Sequence, residues 1–498
     1  MEKRTILWFM TFWGFAINYM IRMNINIAIV SMIKHSTKIT NITATPSECP
    51  RHDVRLLKSM NNTFVLQNSS TNSDGVDNIF EWDEYQQNSV LGGFYILHMI
   101  MQLPGGVLAQ RYGTKTVFGL SNGLSALLSF AIPASAKINY KALVVVRILQ
   151  GFISGGAWPS MHSMTANWIP AHERSRFVSA YLGSSIGTAV TYVMCGYLIA
   201  SFGWESVFYV SGGLGLLWIL CWMLFVHDTP AKHPTISIRE RTYIEKCIGN
   251  TIQTRSKPLP IPWKSIFLSK SLFINLMAQS GGIWGLFTLS TQAPTYFNVI
   301  MGLNIKQTGL WSGMPHICRW MFAFGFSTLC DRLVKSKIMS MTNVRKMASC
   351  FSNILQGLFI MGLCFSGCNS IIAVIMLVCA TAVNGAVSSG ALAAVVDLTP
   401  NYAGVIQGII GTVCVCSGFI SPLVVGFLTF HQQTLNQWCK VFYLSGAICI
   451  STGLVYIFFG TSKVQKWNAY DDSAANEKEM KLMKLISKNP KNVINSKS

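Results

Sequence analysis

The run RILQGFISGGAWPSMHSMTANWIPAHERSR, Arg147 to Arg176, places an arginine, three glycines and Pro159 inside apolar sequence. A charged side chain at the middle of a membrane helix costs roughly 2.5–3.5 kcal/mol on insertion scales, so it normally faces a protein interior or a wet cavity. On a helical wheel Arg147, Gly151, Ser154, Trp158 and His162 fall on one narrow face that is polar or small. Arg147 then either faces a cavity or caps and snorkels near a membrane boundary. Both readings make the run a membrane helix.

The rest of the chain agrees. Of 498 residues 51% are hydrophobic and 12% charged, whereas soluble domains are about a quarter charged. The net charge of +20 lies mostly in short segments between apolar runs, which fits positive-inside topology and argues against nucleic acid as a partner. The fourteen cysteines mostly sit singly in apolar runs and form no paired CxxC motif. They are expected to be small helix-packing residues, and Cys414/Cys416 is too little for a metal site. Leu7 to Ile33 is long enough to span and has no small-residue cleavage site, so it reads as the first span.

Apolar stretches recur near 7–33, 87–109, 115–136, 141–168, 176–200, 205–226, 270–296, 308–330, 346–366, 370–397, 403–430 and 437–460, twelve in all. The expected fold is an all-α membrane protein, twelve transmembrane helices in two six-helix bundles. The first bundle covers 1–226, with an external loop at 34–86, and the second 269–460. A cytoplasmic central loop, 227–268, holds seven Lys/Arg against three acids. A flexible cytoplasmic tail, 461–498, has eight lysines and is expected to be drawn to anionic lipid. The external loop is the odd one, with five basic and seven acidic residues and sequons at Asn41, Asn61 and Asn68, so a glycoprotein is expected.

Asn18, Arg22 and Asn26 lie four apart on one stripe of the first helix, either as a cavity wall or, for the asparagines, as interhelical glue. Arginine offers a planar fork of donors suited to carboxylate or phosphate. Arg22, Arg147 and Arg319 outnumber the acids within the membrane, so an anion is the expected ligand; Arg319 has the further option of a carbonyl or Asp331. His98, His162 and His316 are either proton carriers or hydrogen-bonded packing residues. Glycines four apart, as at Gly151/Gly155, Gly183/Gly187 and Gly281/Gly285, permit close helix approach. The turn with Gly106, Arg111, Gly113 and Lys115 is echoed after the eighth helix by Asp331-Arg332. These residues form a conformational latch or simply set topology.

The strings YMIRMNINIAIVSM, QLPGGVLAQRYGTK, WPSMHSMTANWIPAHERS, DTPAKHPTISIRERTYIE, APTYFNVIMGLNIKQTG, TNVRK and NYAGVIQG resemble the major facilitator superfamily. Within it they resemble the anion/cation symporter branch of sialin, vesicular glutamate transporters and type I sodium/phosphate cotransporters. The resemblance runs from about Phe9 to Trp467. It implies alternating-access anion transport, with Arg22 at the position of the helix-1 arginine implicated in anion handling. The family's helix-4 glutamate is Ser154 here, which removes that route of proton coupling. The vesicular glutamate transporters' helix-7 arginine and helix-2 histidine correspond to Gly282 and Leu91, which disfavours glutamate loading. The family's NHLD reads Ala394-Val-Val-Asp397, and a helix-11 asparagine is Gly411.

The expected function is secondary active transport of a phosphate-like or small carboxylate anion. Arg22, Asn18, Asn26, Arg147, Ser154, Trp158 and Arg319 would face it. No cofactor or metal is expected, and the coupling ion is sodium or a proton. The protein is expected to be a monomer with a small anion and membrane lipid as partners, in the plasma membrane, with a lysosomal or vesicular membrane as the other option. A transport-inactive receptor or scaffold that keeps the fold is the alternative. A channel lacks any repeated filter sequence, and an enzyme lacks a nucleophile–base or metal constellation.

Overall fold

The computed structural model describes residues 2–33, 49, 80–169, 177, 179–252, 261–399 and 402–468. Asn41, Asn61, Asn68 and the tail beyond 468 lie outside the described residues.

Span 1 is Lys3–Met32 and span 2 Glu84–Tyr112. Span 3 bends by 47° between Thr114–Ser129 and Ala131–Ile138. Span 4 runs Tyr140–Ser154 and, past the Gly155-Gly156 break, Ala157–Trp168. Spans 5 and 6 are Gly183–Phe202 and Glu205–Phe225. Span 7 is Lys270–Thr295, extended by a π turn at Tyr296–Ile300, and span 8 is Ile305–Lys335. Spans 9 and 10 cover Met341–Ser366 and Ser370–Leu398; spans 11 and 12 are Ala403–Leu428 and Leu435–Phe459.

Among the described residues nine of these helices are long and apolar enough to cross a membrane, ten with the bent span 3. Spans 2 and 8 have the length, at 29 and 31 residues, and fall short on composition. They begin alike. Asp83 accepts from Gln86 N and Asn304 from Gln307 N, each Gln side chain returning to the cap backbone.

Spans 1, 3, 4, 5 and 6 pack around Phe15, Phe118, Met164 and Trp222, and span 2 packs its Val90 and Leu91 against Ile25 and Ile29 of span 1; spans 7–12 pack around Tyr296, Phe297, Leu377 and Trp438. The halves meet where span 1 faces span 7, span 2 faces span 11 and span 5 faces span 8. Within the first half, a Cβ on Gly187 would lie 2.5 Å from Ala16 Cα, so only glycine lets spans 5 and 1 come this close. Lys3, Lys115 and Lys335 share one end of the molecule, here called the basic face; Cys49 and Cys368 mark the opposite loop face.

At the basic face a linker helix, Ile238–Ile252, carries Glu240, whose carboxylate accepts Lys3 N at 3.0 Å and Arg4 N at 3.1 Å. A negative charge at a helix N-terminus both satisfies open N–H groups and opposes the helix dipole. After span 2 the backbone turns at Gly113, φ +87°, where a Cβ would strike the Asp228 carboxylate. Asp228 Oδ1 accepts Lys115 N at 2.7 Å. Arg111 is exposed beside the Tyr112 ring, and Gly106 lies near Pro159. The second half differs. Asp331 and Arg332 are both exposed, and the ion pair joins Arg345 to Asp397 at 2.8 Å, with Arg345 Nη1 also holding the Ser389 carbonyl at 2.8 Å.

One cysteine expectation is corrected. Cys49 and Cys368 form a disulfide that ties the loop between spans 1 and 2 to the turn between spans 9 and 10. They are 319 residues apart, so no local spacing could reveal the pair.

Candidate functional site

Arg22 lies two-thirds of the way along span 1 and is 3% exposed. Its guanidinium carbon stands 4.4 Å from the Tyr95 ring centroid, 5.1 Å from Tyr19, 5.2 Å from Phe287 and 5.5 Å from Phe94. Phe287 belongs to span 7, so both halves build this box. Each ring face attracts the cation by about 0.5–2 kcal/mol, which offsets only part of the desolvation of a buried charge. Arg22 Nε and Nη2 are buried without a hydrogen-bond partner, and Arg22 is in no ion pair with a described carboxylate. The box holds a positive charge with open donors.

Arg147 is spent differently. Its Nη1 donates to the Ile21 carbonyl at 3.2 Å and to Gln150 Oε1 at 2.7 Å; its Nη2 donates to the Arg22 carbonyl at 3.0 Å. Gln150 is held in turn by Ser125 O and Ser129 Oγ of span 3. Arg147 therefore fixes the backbone that carries Arg22, with the planar fork spanning two successive carbonyls. This geometry is neither a snorkel nor an open cavity wall.

The other predicted residues divide between several places. Asn18 Nδ2 donates to Asn122 Oδ1 at 2.8 Å and to Ser154 Oγ at 3.0 Å, which joins spans 1, 3 and 4. Trp158 packs in the first half's core against Phe15 at 4.8 Å and Tyr181 at 5.6 Å between ring centroids. Asn26 turns to spans 5 and 7, donating to Tyr192 OH at 3.1 Å and the Ser290 carbonyl at 3.4 Å. Arg319 Nε donates to Asn384 Oδ1 at 3.0 Å and its Nη1 to Ser185 Oγ of the first half at 3.2 Å, not to Asp331. His98 Nδ1 lies 3.1 Å from the Gly151 carbonyl; because a carbonyl only accepts, Nδ1 carries the proton. His316 stacks on Tyr192 with ring centroids 6.0 Å apart. The His162 side chain lies outside the described residues.

Sequence reading missed Tyr19, Phe94, Tyr95 and Phe287 as the walls around Arg22, and Tyr192 as a cross-half donor. Aromatic residues in a membrane helix read as core, and nothing in the spacing of Phe94, Tyr95, Tyr192 and Phe287 marks them. The one available signal is Tyr19, three residues before Arg22 and so one turn away on the same helix.

Residues 11–422 match the family model of the Major Facilitator Superfamily. A Drosophila melanogaster protein provisionally named an inorganic phosphate cotransporter is 30% identical, over 99% of this chain and 90% of its own length. Homo sapiens sialin is 30% identical, over 93% of this chain and 90% of its own. The solved structure of a D-xylose-proton symporter matches with a TM-score of 0.58 at 14% identity, over 92% of this chain and 99% of that one.

Proposed function

The chain belongs to the major facilitator superfamily of membrane transporters, in the branch of the phosphate cotransporters and sialin, and from that premise we propose that it carries a small anion by alternating access. The observation that carries this reading is Arg22, a buried cation with two open donors, walled by Tyr95 of one half and Phe287 of the other. A carboxylate or phosphate oxygen at Nε and Nη2 would supply the missing acceptors and the missing charge. A site shared by both halves is one that rocking of the halves exposes to either side in turn. In this reading Arg147 positions Arg22, Arg319 is a second cation at the interface, and Asn18, Ser154 and Trp158 brace the helices behind the site. The basic face is the cytoplasmic side, by the positive-inside rule.

Coupling is to sodium or a proton. Ser154, where sialin-like proteins carry a carboxylate, accepts a hydrogen bond from Asn18 and has no titratable group to offer. That same absence favours the second reading, a transport-inactive receptor that binds the anion without moving it. Uptake of labelled phosphate, sialate, glutamate and urate into proteoliposomes tests both, with sodium replaced and, separately, the proton gradient collapsed. Gradient-driven uptake of one anion, lost in Arg22→Gln, is the expected result. Binding of an anion with no flux under any gradient selects the receptor, and full uptake by Arg22→Gln removes Arg22 from the site.

A further inference from the structure

Span 7 contains Pro294, which has no main-chain N–H to give. In a helix that N–H would bond the carbonyl four residues back, which here is Ser290. The Ser290 carbonyl is taken up from the other half. Tyr192 OH of span 5 donates to it, and Asn26 Nδ2 of span 1 donates to it at 3.4 Å. The same Asn26 amide donates to Tyr192 OH at 3.1 Å, so the three groups close a triangle. All three residues are buried, and two positions further on Gln292 Nε2 donates to Asn88 Oδ1 of span 2 at 2.7 Å.

We propose that the Ser290 carbonyl, released by Pro294, is the clasp that shuts the loop face, with Tyr192 and Asn26 as its positioning residues. The inference rests on the alternating-access reading and goes beyond it by naming the bond that must open. Its placement ties it to the anion site. Asn26 is four residues from Arg22 on span 1, and Ser290 is three residues from Phe287 on span 7, so both sides of the clasp sit one helical turn from the box around Arg22. A shift of span 7 as Phe287 follows an anion at Arg22 therefore moves the carbonyl that the first half is holding. A side chain at this position would swing freely once released. A backbone carbonyl moves only with the helix, so making or breaking the clasp reports the position of span 7 as a rigid body.

Hydrogen–deuterium exchange of the full chain in nanodiscs, read by mass spectrometry without substrate, tests this. Tyr192→Phe removes one hydroxyl. Pro294→Ala returns the N–H that competes for the Ser290 carbonyl within span 7. Each is expected to speed exchange of loop-face peptides from spans 1, 5 and 7 about two- to tenfold, the range that one buried hydrogen bond supports. Each is also expected to slow exchange at the basic-face ends of spans 4 and 10, because the halves close there as they part at the loop face. The double variant should go no further than the larger single one, since both remove the same contact. Faster exchange at both faces would mean a packing defect and overturn the clasp, as would unchanged loop-face exchange or additive effects in the double variant. None of these readouts depends on which anion binds, so the clasp can fail while Arg22→Gln still abolishes uptake, and the reverse.

Discussion

Arg147 Nη2 donates to the main-chain carbonyl of Arg22 at 3.0 Å, so these two buried arginines meet through backbone and not through a shared carboxylate. This divides their labour. Arg147 spends its fork on protein acceptors, and Arg22 keeps Nε and Nη2 open.

Arg22→Gln should separate function from stability. Loss of a buried charge-assisted contact is worth about 3–5 kcal/mol, or roughly 100- to 4000-fold in apparent affinity, so uptake of the responsive anion should fall by that order. The folded protein without anion should hold its thermal midpoint or gain a few degrees, because the substitution deletes a buried charge that has no hydrogen-bond partner at two of its nitrogens. Uptake kinetics and a thermal scan of the same preparation check both.

Arg147→Gln should do the opposite. It removes donors to two carbonyls and to Gln150, which destabilises by about 2–4 kcal/mol. Arg147→Lys keeps the charge and loses the fork, so it should recover part of the stability while leaving KM for the anion raised, since one ammonium cannot hold two successive carbonyls in register. A thermal midpoint and a KM measured on both variants decide it. Equal KM values for Arg147→Lys and the unaltered protein would leave Arg147 with no hold over Arg22.

Much of this was legible in the sequence because it is local. Span positions follow from apolar length, and Arg22 and Arg147 stand out because a charge in an apolar helix has few explanations. The destinations of Asn18 and Asn26 were not legible. Both lie on the stripe of Arg22, yet one turns to spans 3 and 4 and the other to spans 5 and 7, a choice made by neighbours distant in sequence. Phe94, Tyr95 and Phe287 look like ordinary core residues until the fold sets them around a guanidinium. The two basic turns resemble each other in sequence, but the acid that meets the first is Asp228 at the end of span 6, while Arg345 and Asp397 make the ion pair in the second half.

The Cys49–Cys368 bond should appear as a linked peptide in a non-reducing digest and vanish on reduction. It joins the two halves at the loop face, on the outer side of the Tyr192–Ser290 contact. Cys49→Ser is expected to lower stability, within the roughly 2–5 kcal/mol typical of a native disulfide, and to leave KM for the anion unchanged, because the bond lies at the loop face and touches no wall of the Arg22 box. A change in KM without a change in thermal midpoint would show that the bond constrains the transport cycle directly.

At the basic face His227 and His233 pack with ring centroids 4.7 Å apart and the ring planes tilted by 52°, just beyond span 6. Burial holds both below the usual histidine value, aided by Lys115 at His227 and by His227 itself at His233. A histidine depressed on folding binds its proton more readily in the unfolded chain. Its stabilising contribution is thus complete above the unfolded value near 6.5 and declines as pH falls from there toward the lower folded value. The thermal midpoint should be lower at about pH 5.5 than at about pH 7.5, and His233→Gln should narrow that gap. An unchanged gap in the variant would place the acid sensitivity elsewhere.

Ser154 offers the sharpest test of coupling. Its Oγ accepts from Asn18 Nδ2 at 3.0 Å, and Asn122 Nδ2, in the same cluster, is buried without a partner. A carboxylate introduced by Ser154→Glu would find donors from both amides and lie on the helix face of Arg147, seven residues back. The larger side chain crowds a full site, a cost of about 1–3 kcal/mol. Ser154→Gln carries the same volume without the proton, so the comparison between the two isolates charge from crowding. Uptake driven by an imposed proton gradient in Ser154→Glu and not in Ser154→Gln is the expected outcome, because only the acid can bind a proton in one state of the cycle and release it in the other. Identical behaviour of the two would make this stretch of span 4 a brace behind Arg22, and proton coupling, if the protein has it, would then have to run through another group.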